Sequence, residues 1–149
     1  MKTITLTTCM LLFLATGFTG CKTSMVISRG TNFNNCQGYC HQVLTLEEKK
    51  ITFTKRRNTS PKLESQMMVA RAGTEYQKVL NTFDVKSFKA LPGTIGCPDC
   101  ADGGSEWIEV RSGWKKRRVT FEFGHAPEVL KTTVQELKAL QEGLNKKIN

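Results

Sequence analysis

The sequence has few of the residues on which hydrolytic enzymes rely. It contains only two histidines, and neither a G-x-S-x-G nucleophile motif nor an H-E-x-x-H zinc motif occurs in it. These absences argue against the common hydrolase classes that carry such motifs. Catalysis by two dispersed carboxylates stays open, because glycoside hydrolysis needs no local motif. The sequence therefore names no substrate and no reaction.

A long hydrophobic run is missing as well. The most apolar stretch, residues 4–18, is shorter than the ~20 residues of a membrane-spanning helix. It follows Lys2 and ends in small residues just before Cys21. This is the pattern of a cleaved export signal rather than of a permanent membrane helix. We predict that residues 1–20 are a signal peptide and that the chain is exported.

The segment "FTGC" at residues 18–21 resembles the lipobox of bacterial lipoproteins, in which the cysteine becomes the acylated N-terminus. Phe18 stands where that motif usually has Leu, and ordinary cleavage that leaves Cys21 as a spare thiol is the alternative. The resemblance implies that Cys21 carries the lipid and that residues 21–24 form a tether. It also implies an outer-membrane destination on the periplasmic side, because Lys22 rather than Asp follows Cys21. Acyl chains on one cysteine anchor a protein without a spanning helix.

Acidic residues are also scarce. The chain has 22 Lys and Arg against 13 Asp and Glu, a formal charge of +9. The basic residues gather in runs at 49–50, 55–57 and 115–118, and Trp114 stands in a turn beside the last run. Such runs are often plain solvated surface, but they also favour anionic lipid head groups, acidic envelope polymers or a protein partner. Export makes nucleic acid an unexpected partner.

Residues 25–149 are long enough for a single domain with one core. Alternating apolar residues predict a strand at 25–29, a hairpin from residue 41 through residue 54, and a second hairpin over 106–123 that turns at Gly113. Helical spacing predicts a helix capped by Thr74, a short second turn over 85–91, and a last helix opened by Pro127.

These elements predict an α+β fold, an antiparallel sheet of four to five strands with two helices on one face. Each half of the chain carries a close cysteine pair, then two strands, then a helix. That order suggests a ββα pseudo-repeat.

Four cysteines remain after the signal peptide, namely Cys36, Cys40, Cys97 and Cys100. An even number in an oxidising compartment predicts disulfides. We favour crossed bridges between the two loops, because a bridge that closes a longer loop stabilises more. Local pairing is also feasible, since a glycine and a proline let each loop turn back on itself.

The same cysteines fit other chemistries. Their four thiolates could bind one zinc ion tetrahedrally, with His41 able to replace one of them. "CPDC" looks like the active sequence of thiol redox proteins, but two glycines disfavour the helix that such sites need. "CQGYCH" has three residues between its cysteines where a haem attachment sequence has two. No cofactor is therefore expected, and zinc is the one that stays possible.

Three acidic residues gather near the second cysteine pair, Asp99, Asp102 and Glu106. Their oxygens would suit a hard cation such as calcium, but Asp side chains that bond nearby amides in a turn explain the same cluster. These residues are weaker site candidates than the cysteines.

"CQGYCHQVLTL" and "GCPDCADGGSEWIEV" together resemble an uncharacterised family of exported bacterial proteins with CxGYC and CPDCADGGxEW elements. The resemblance covers most of residues 25–124 and implies a shared cysteine-bearing domain, without an activity or catalytic residue. We expect a lipid-anchored envelope protein with a disulfide-stabilised binding or structural module, and not an enzyme. Extracytoplasmic zinc binding and thiol redox chemistry are the alternatives.

Overall fold

The fold is seen in a computed structural model that describes residues 24–57 and 65–148. The predicted signal peptide, Cys21 and the first part of the tether lie outside the described residues. The signal peptide, the lipid on Cys21 and the tether therefore stay predictions.

One mixed sheet organises the described part of the chain. Its seven strands are β1 (Met25–Asn32), β2 (His41–Leu46), β3 (Lys50–Arg56), β4 (Ser65–Arg71), β5 (Thr94–Ile95), β6 (Ser105–Ser112) and β7 (Lys115–Glu122). The order across the sheet is β4-β3-β2-β1-β6-β7-β5. Neighbouring strands are antiparallel except β5 and β7, which are parallel. The predicted α+β class is confirmed, whereas the predicted number of four to five strands is too low.

The two strands that the sequence did not reveal lie at the edges of the sheet. β4 alternates between half-buried and exposed side chains, and its Met67 and Val69 are 67% and 55% exposed. β5 has only two residues. Neither strand carries the buried alternation from which the other strands were predicted.

The described residues form three α-helices, two between β4 and β5 and one after β7. They are α1 (Glu75–Thr82), α2 (Val85–Ala90) and α3 (Lys131–Ile148), and a 3-10 turn over Glu128–Leu130 leads into α3. Thr74 precedes α1 as predicted, but its side chain makes no capping hydrogen bond. Asp84 is the cap that does, since its carboxylate accepts from the amides of Lys86 and Ser87 at the start of α2. None of the helices in the described ranges is long and apolar enough to cross a membrane.

The core lies between one face of the sheet and the helices. Strand residues such as Leu44, Phe53 and Phe121 are completely buried there, and α1, α2 and α3 all add buried side chains to the same cluster. Burying large apolar side chains stabilises each by about 1.5–3 kcal/mol relative to exposure. This packing fixes the sheet as a rigid support.

The second face of the sheet carries the alternate residues of every long strand, and none of the described helices belongs to it. We call it the open face. Its residues include Gly30, Val43, Thr54, Trp107 and Arg118, which strand pairing places side by side. The ββα pseudo-repeat stays a prediction. The two halves differ in one respect, because β4 separates the first hairpin from α1, whereas no strand separates β7 from α3 among the described residues.

Candidate binding face and cysteine loops

Each cysteine loop is closed by its own disulfide. Cys36 is joined to Cys40 and Cys97 to Cys100, with Cα atoms 5.8 and 5.5 Å apart. The predicted disulfides are present, but the favoured crossed pairing is wrong. Local bridges of this length restrict the unfolded chain by about 2 kcal/mol each, against about 4 kcal/mol for a bridge that spans some 60 residues.

Noncovalent contacts join the two loops instead. Asn34 donates its side-chain amide to Asp99, and Asn35 donates to Asp102 over 3.4 Å. Phe33 packs edge-on against Phe123 with ring centroids 4.8 Å apart. The Phe33 ring also lies where a side chain on Gly104 would have to stand, so this close approach requires glycine.

The acidic cluster does not form a metal site in the structure. Asp99 and Asp102 adopt left-handed backbone angles, with φ of 63° and 59°, and hold the loops together, whereas Glu106 points into the core. Within the described ranges, no three His, Cys, Asp or Glu side chains come close enough to hold a metal ion. His41 begins β2 and lines the open face.

Glu106 instead forms a buried ion pair with Arg29. Arg29 Nε lies 2.5 Å from Glu106 Oε1, and the two side chains are 3% and 2% exposed. The second Glu106 oxygen accepts from the Gly124 amide at 3.2 Å, and Arg29 donates from Nη1 to Gln141 of α3 at 2.7 Å. Gln141 in turn donates to Gln42 of β2. The ion pair therefore connects the two central strands to the last helix.

Sequence reasoning missed Arg29. The available signal was its position two residues after Ile27 in a predicted strand, because such residues share a face. A charge in a core-facing position needs a partner, and Glu106, two residues before Ile108 in the predicted second hairpin, was one of three acidic residues there. A cavity of about 490 Å³ opens beside the pair, and His125, Lys131 and Lys138 line it as well.

The basic run at residues 55–57 is divided between two faces. Lys55 is buried on the core side, donates to Asn145 at 3.0 Å and lies over the Tyr39 ring. Arg56 is exposed on the open face, and the guanidinium of Arg57 lies 5.1 Å from the Tyr39 ring centre. The run is therefore not one solvated surface.

Trp107 is the centre of the open face. Its indole covers Gly30 on β1, where any side chain would collide with the ring. The Arg118 guanidinium stacks on Trp107 with 3.9 Å to the ring centre, and Arg118 and Lys116 both pair with Glu109, at 2.7 and 3.1 Å. A cation stacked on tryptophan and held by a carboxylate has a fixed orientation.

Two shallow grooves flank this stack. The larger, about 460 Å³, lies toward the cysteine loops, and the smaller, about 280 Å³, lies toward the β6–β7 turn. Hydroxyl, amide, imidazole and guanidinium groups line the larger groove, contributed by Asn32, His41, Thr54, Arg56, Ser105 and Thr120. These groups can donate hydrogen bonds to oxygen-rich ligands.

No family model matches this chain, and no curated protein is detectably similar to it. The resemblance to exported bacterial proteins therefore stays a prediction from the two cysteine motifs. We therefore infer the function from the geometry of the site.

Proposed function

We propose that this protein is an exported, lipid-anchored binding module that holds an anionic polymer of the cell envelope against the open face of its sheet. The observation that carries the proposal is the Trp107–Arg118 stack between two polar grooves. The rigid sheet and the two disulfides support the surface, so that little order has to be created when a ligand binds.

The charge of the open face suits such a polymer. Basic side chains outnumber acidic ones on it, and Glu109 is already paired with Lys116 and Arg118. Strand pairing places these basic residues on the same face: Lys50, Arg56, Arg71, Arg111, Lys116 and Arg118. Electrostatic attraction of this kind raises the association rate with a polyanion and weakens as salt is added.

Retention on immobilised alginate tests the binding. We expect the protein to bind alginate at low salt and to pass through neutral dextran. R56Q/R71Q removes two exposed charges from the open face, and it should elute at distinctly lower salt. The matched control is K146Q/K147Q, which removes two exposed charges from the end of α3. Elution of both variants at the same salt concentration would contradict the proposal.

The anchor is tested separately, with Cys21→Ala followed through membrane fractionation. We expect the wild-type protein to sediment with membranes and the variant to be released or to keep an uncleaved signal. Unchanged sedimentation of a variant with a cleaved signal would count against lipidation.

Thiol redox chemistry is a second candidate because the Cys97–Cys100 disulfide lies in an exposed loop. The second cysteine begins only a 3-10 turn, Cys100–Asp102, so the helix that stabilises a reactive thiolate in redox proteins is not formed there. A reduction potential near that of structural disulfides, below about −300 mV, would exclude a catalytic role. Zinc binding would require both disulfides to be reduced first, and zinc titration of the reduced protein tests it.

A further inference from the structure

The β6–β7 hairpin ends in an exposed tryptophan. Trp114 is 98% exposed, and Gly113 before it has a φ of 58°, as the first position of a two-residue type II′ turn requires. Ser112 and Lys115 close this turn as a strand pair. The Trp114 ring has no packing role within the described structure, and its exposure to water forgoes the stabilisation that burial of a large apolar side chain gives.

Basic residues surround the tip. Arg111 near the end of β6 and Lys115, Lys116 and Arg117 at the start of β7 are all exposed. Lys116 is paired with Glu109, and Arg117 donates to the Leu91 carbonyl, whereas Arg111 and Lys115 extend toward solvent. Acidic residues also lie at this end of the sheet. Glu47 and Glu48 are in the β2–β3 turn, where Glu47 is paired with Lys50, and Glu75 begins α1 just after β4.

The start of the domain lies at the same end of the sheet. Met25 pairs with Ser112, which directly precedes the turn, and the Tyr76 hydroxyl donates to the Met25 carbonyl at 2.6 Å. The first strand is thus fixed on both sides. The covalent chain from Cys21 to Met25 can span at most about 14 Å. A lipid on Cys21 would therefore hold the membrane surface close to Trp114.

We infer that the hairpin tip docks on an anionic lipid surface, with Trp114 among the head groups and the surrounding cations on the phosphates. Tryptophan prefers this interfacial position, because its ring is apolar while its N–H can bond to water or head groups. Basic residues beside a lipid anchor supply the second attachment that anchored proteins commonly use. The inference rests on the proposed function for the anchor at Cys21, and it adds the orientation of the domain.

The orientation has a consequence for the open face. β1 and β6 are each eight residues long, and their other ends carry the cysteine loops and the larger groove. An eight-residue strand is about 26 Å long. With the tip on the lipid, the larger groove would face away from the membrane, toward envelope polymers.

Tryptophan fluorescence of the full chain reconstituted into vesicles tests this docking. The difference between wild type and Trp114→Phe isolates the emission of Trp114 from that of Trp107. In vesicles that contain phosphatidylglycerol, we expect Trp114 emission to shift to shorter wavelength and to be quenched by brominated acyl chains. In pure phosphatidylcholine vesicles both effects should be much smaller.

R111Q/K115Q tests the charges, with K146Q/K147Q as the matched control. At about fivefold per basic residue near an anionic surface, the tip variant should dock about 30-fold more weakly. Its quenching should then fall to the level seen in phosphatidylcholine, while the control keeps wild-type quenching. Circular dichroism checks that both variants are folded.

Sedimentation with the vesicles is scored separately and reports on the anchor. Unquenched Trp114 in a chain that sediments would overturn the docking inference and leave the anchor intact. Equal quenching in both lipid compositions would also overturn it, because the basic residues would then have no role.

Discussion

The Arg29–Glu106 ion pair offers a quantitative test of how the core is held together. Replacing Glu106 with Leu removes the carboxylate that accepts from Arg29 and from the Gly124 amide. Arg29 would then be a buried cation whose remaining bond in the network goes to Gln141. We expect this variant to be strongly destabilised.

The size of the effect follows from burial. Both side chains are at most 3% exposed, so little of the lost carboxylate's interaction with Arg29 is replaced by contact with solvent. Breaking one partner of a buried pair costs about 3–5 kcal/mol. A domain of this kind has a free energy of unfolding of about 5–15 kcal/mol in total. The single variant should therefore lose a large fraction of its stability.

Removing both charges should cost much less. In Arg29→Met/Glu106→Leu no buried charge is left, and apolar replacements of buried pairs are often neutral or even stabilising. Gln141 would lose the donor to its side-chain oxygen, which limits the recovery by about 1 kcal/mol. The double variant is thus expected to be more stable than the Glu106→Leu single variant.

Urea unfolding followed by circular dichroism measures the free energy of unfolding of wild type, of the single variants Glu106→Leu and Arg29→Met, and of the double variant. A Glu106→Leu stability within about 1 kcal/mol of wild type would show that Arg29 does not need its buried partner. A double variant less stable than Glu106→Leu would show that the cost does not come from an unpaired buried charge.

Four further variants test individual features. Gly30→Ala should lose about 1–3 kcal/mol in thermal unfolding because its methyl group collides with the indole on the open face, whereas Gly143→Ala in open space on α3 should gain about 0.5–1 kcal/mol. Replacing Cys97 and Cys100 with Ala should cost about 2 kcal/mol and leave the circular dichroism spectrum unchanged; loss of the fold would mean that this loop is more than a local brace. A hydrogen bond from the Ser87 hydroxyl is the largest cause that holds the pKa of Asp84 below its usual value, and hydrogen bonds from backbone amides add to it. The Asp84 carboxylate therefore stabilises the fold above the pKa of the unfolded state. This contribution is lost as the pH falls through the lower pKa of the folded state. Asp84→Asn should accordingly show a smaller acid loss of stability than wild type below about pH 4.

Elements with one clearly buried face could be predicted from the sequence. β2, β3 and β6 alternate between core and solvent over most of their lengths, β7 alternates over its second half, and α3 keeps an apolar stripe over its turns. β4 could not be found in this way, because an edge strand with exposed Met67 and Val69 has no alternation of apolar and polar residues.

The cysteine pairing depended on three-dimensional positions that the sequence does not carry. Chain entropy favoured crossed bridges, but it is only one part of the balance. In the folded domain the Asn–Asp hydrogen bonds and the Phe33–Phe123 contact already join the loops, and the disulfides close each loop locally.

The candidate site was also only partly predictable. Trp107 lies within the predicted second hairpin, but only strand register brings Gly30 under its ring. Trp114 was placed in the turn beside the basic run at residues 115–118. Its position beside Met25 depended on the pairing of β1 with β6, two strands far apart in the sequence.

We propose that this domain works outside the cytoplasm, anchored by a lipid and braced by two disulfides. Intact mass spectrometry of the protein isolated from its native envelope, before and after reduction, tests both parts together. We expect a chain that begins at acylated Cys21 and gains four hydrogens on reduction of its two bridges. An unmodified chain that still begins at Met1 and gains no hydrogen would contradict it.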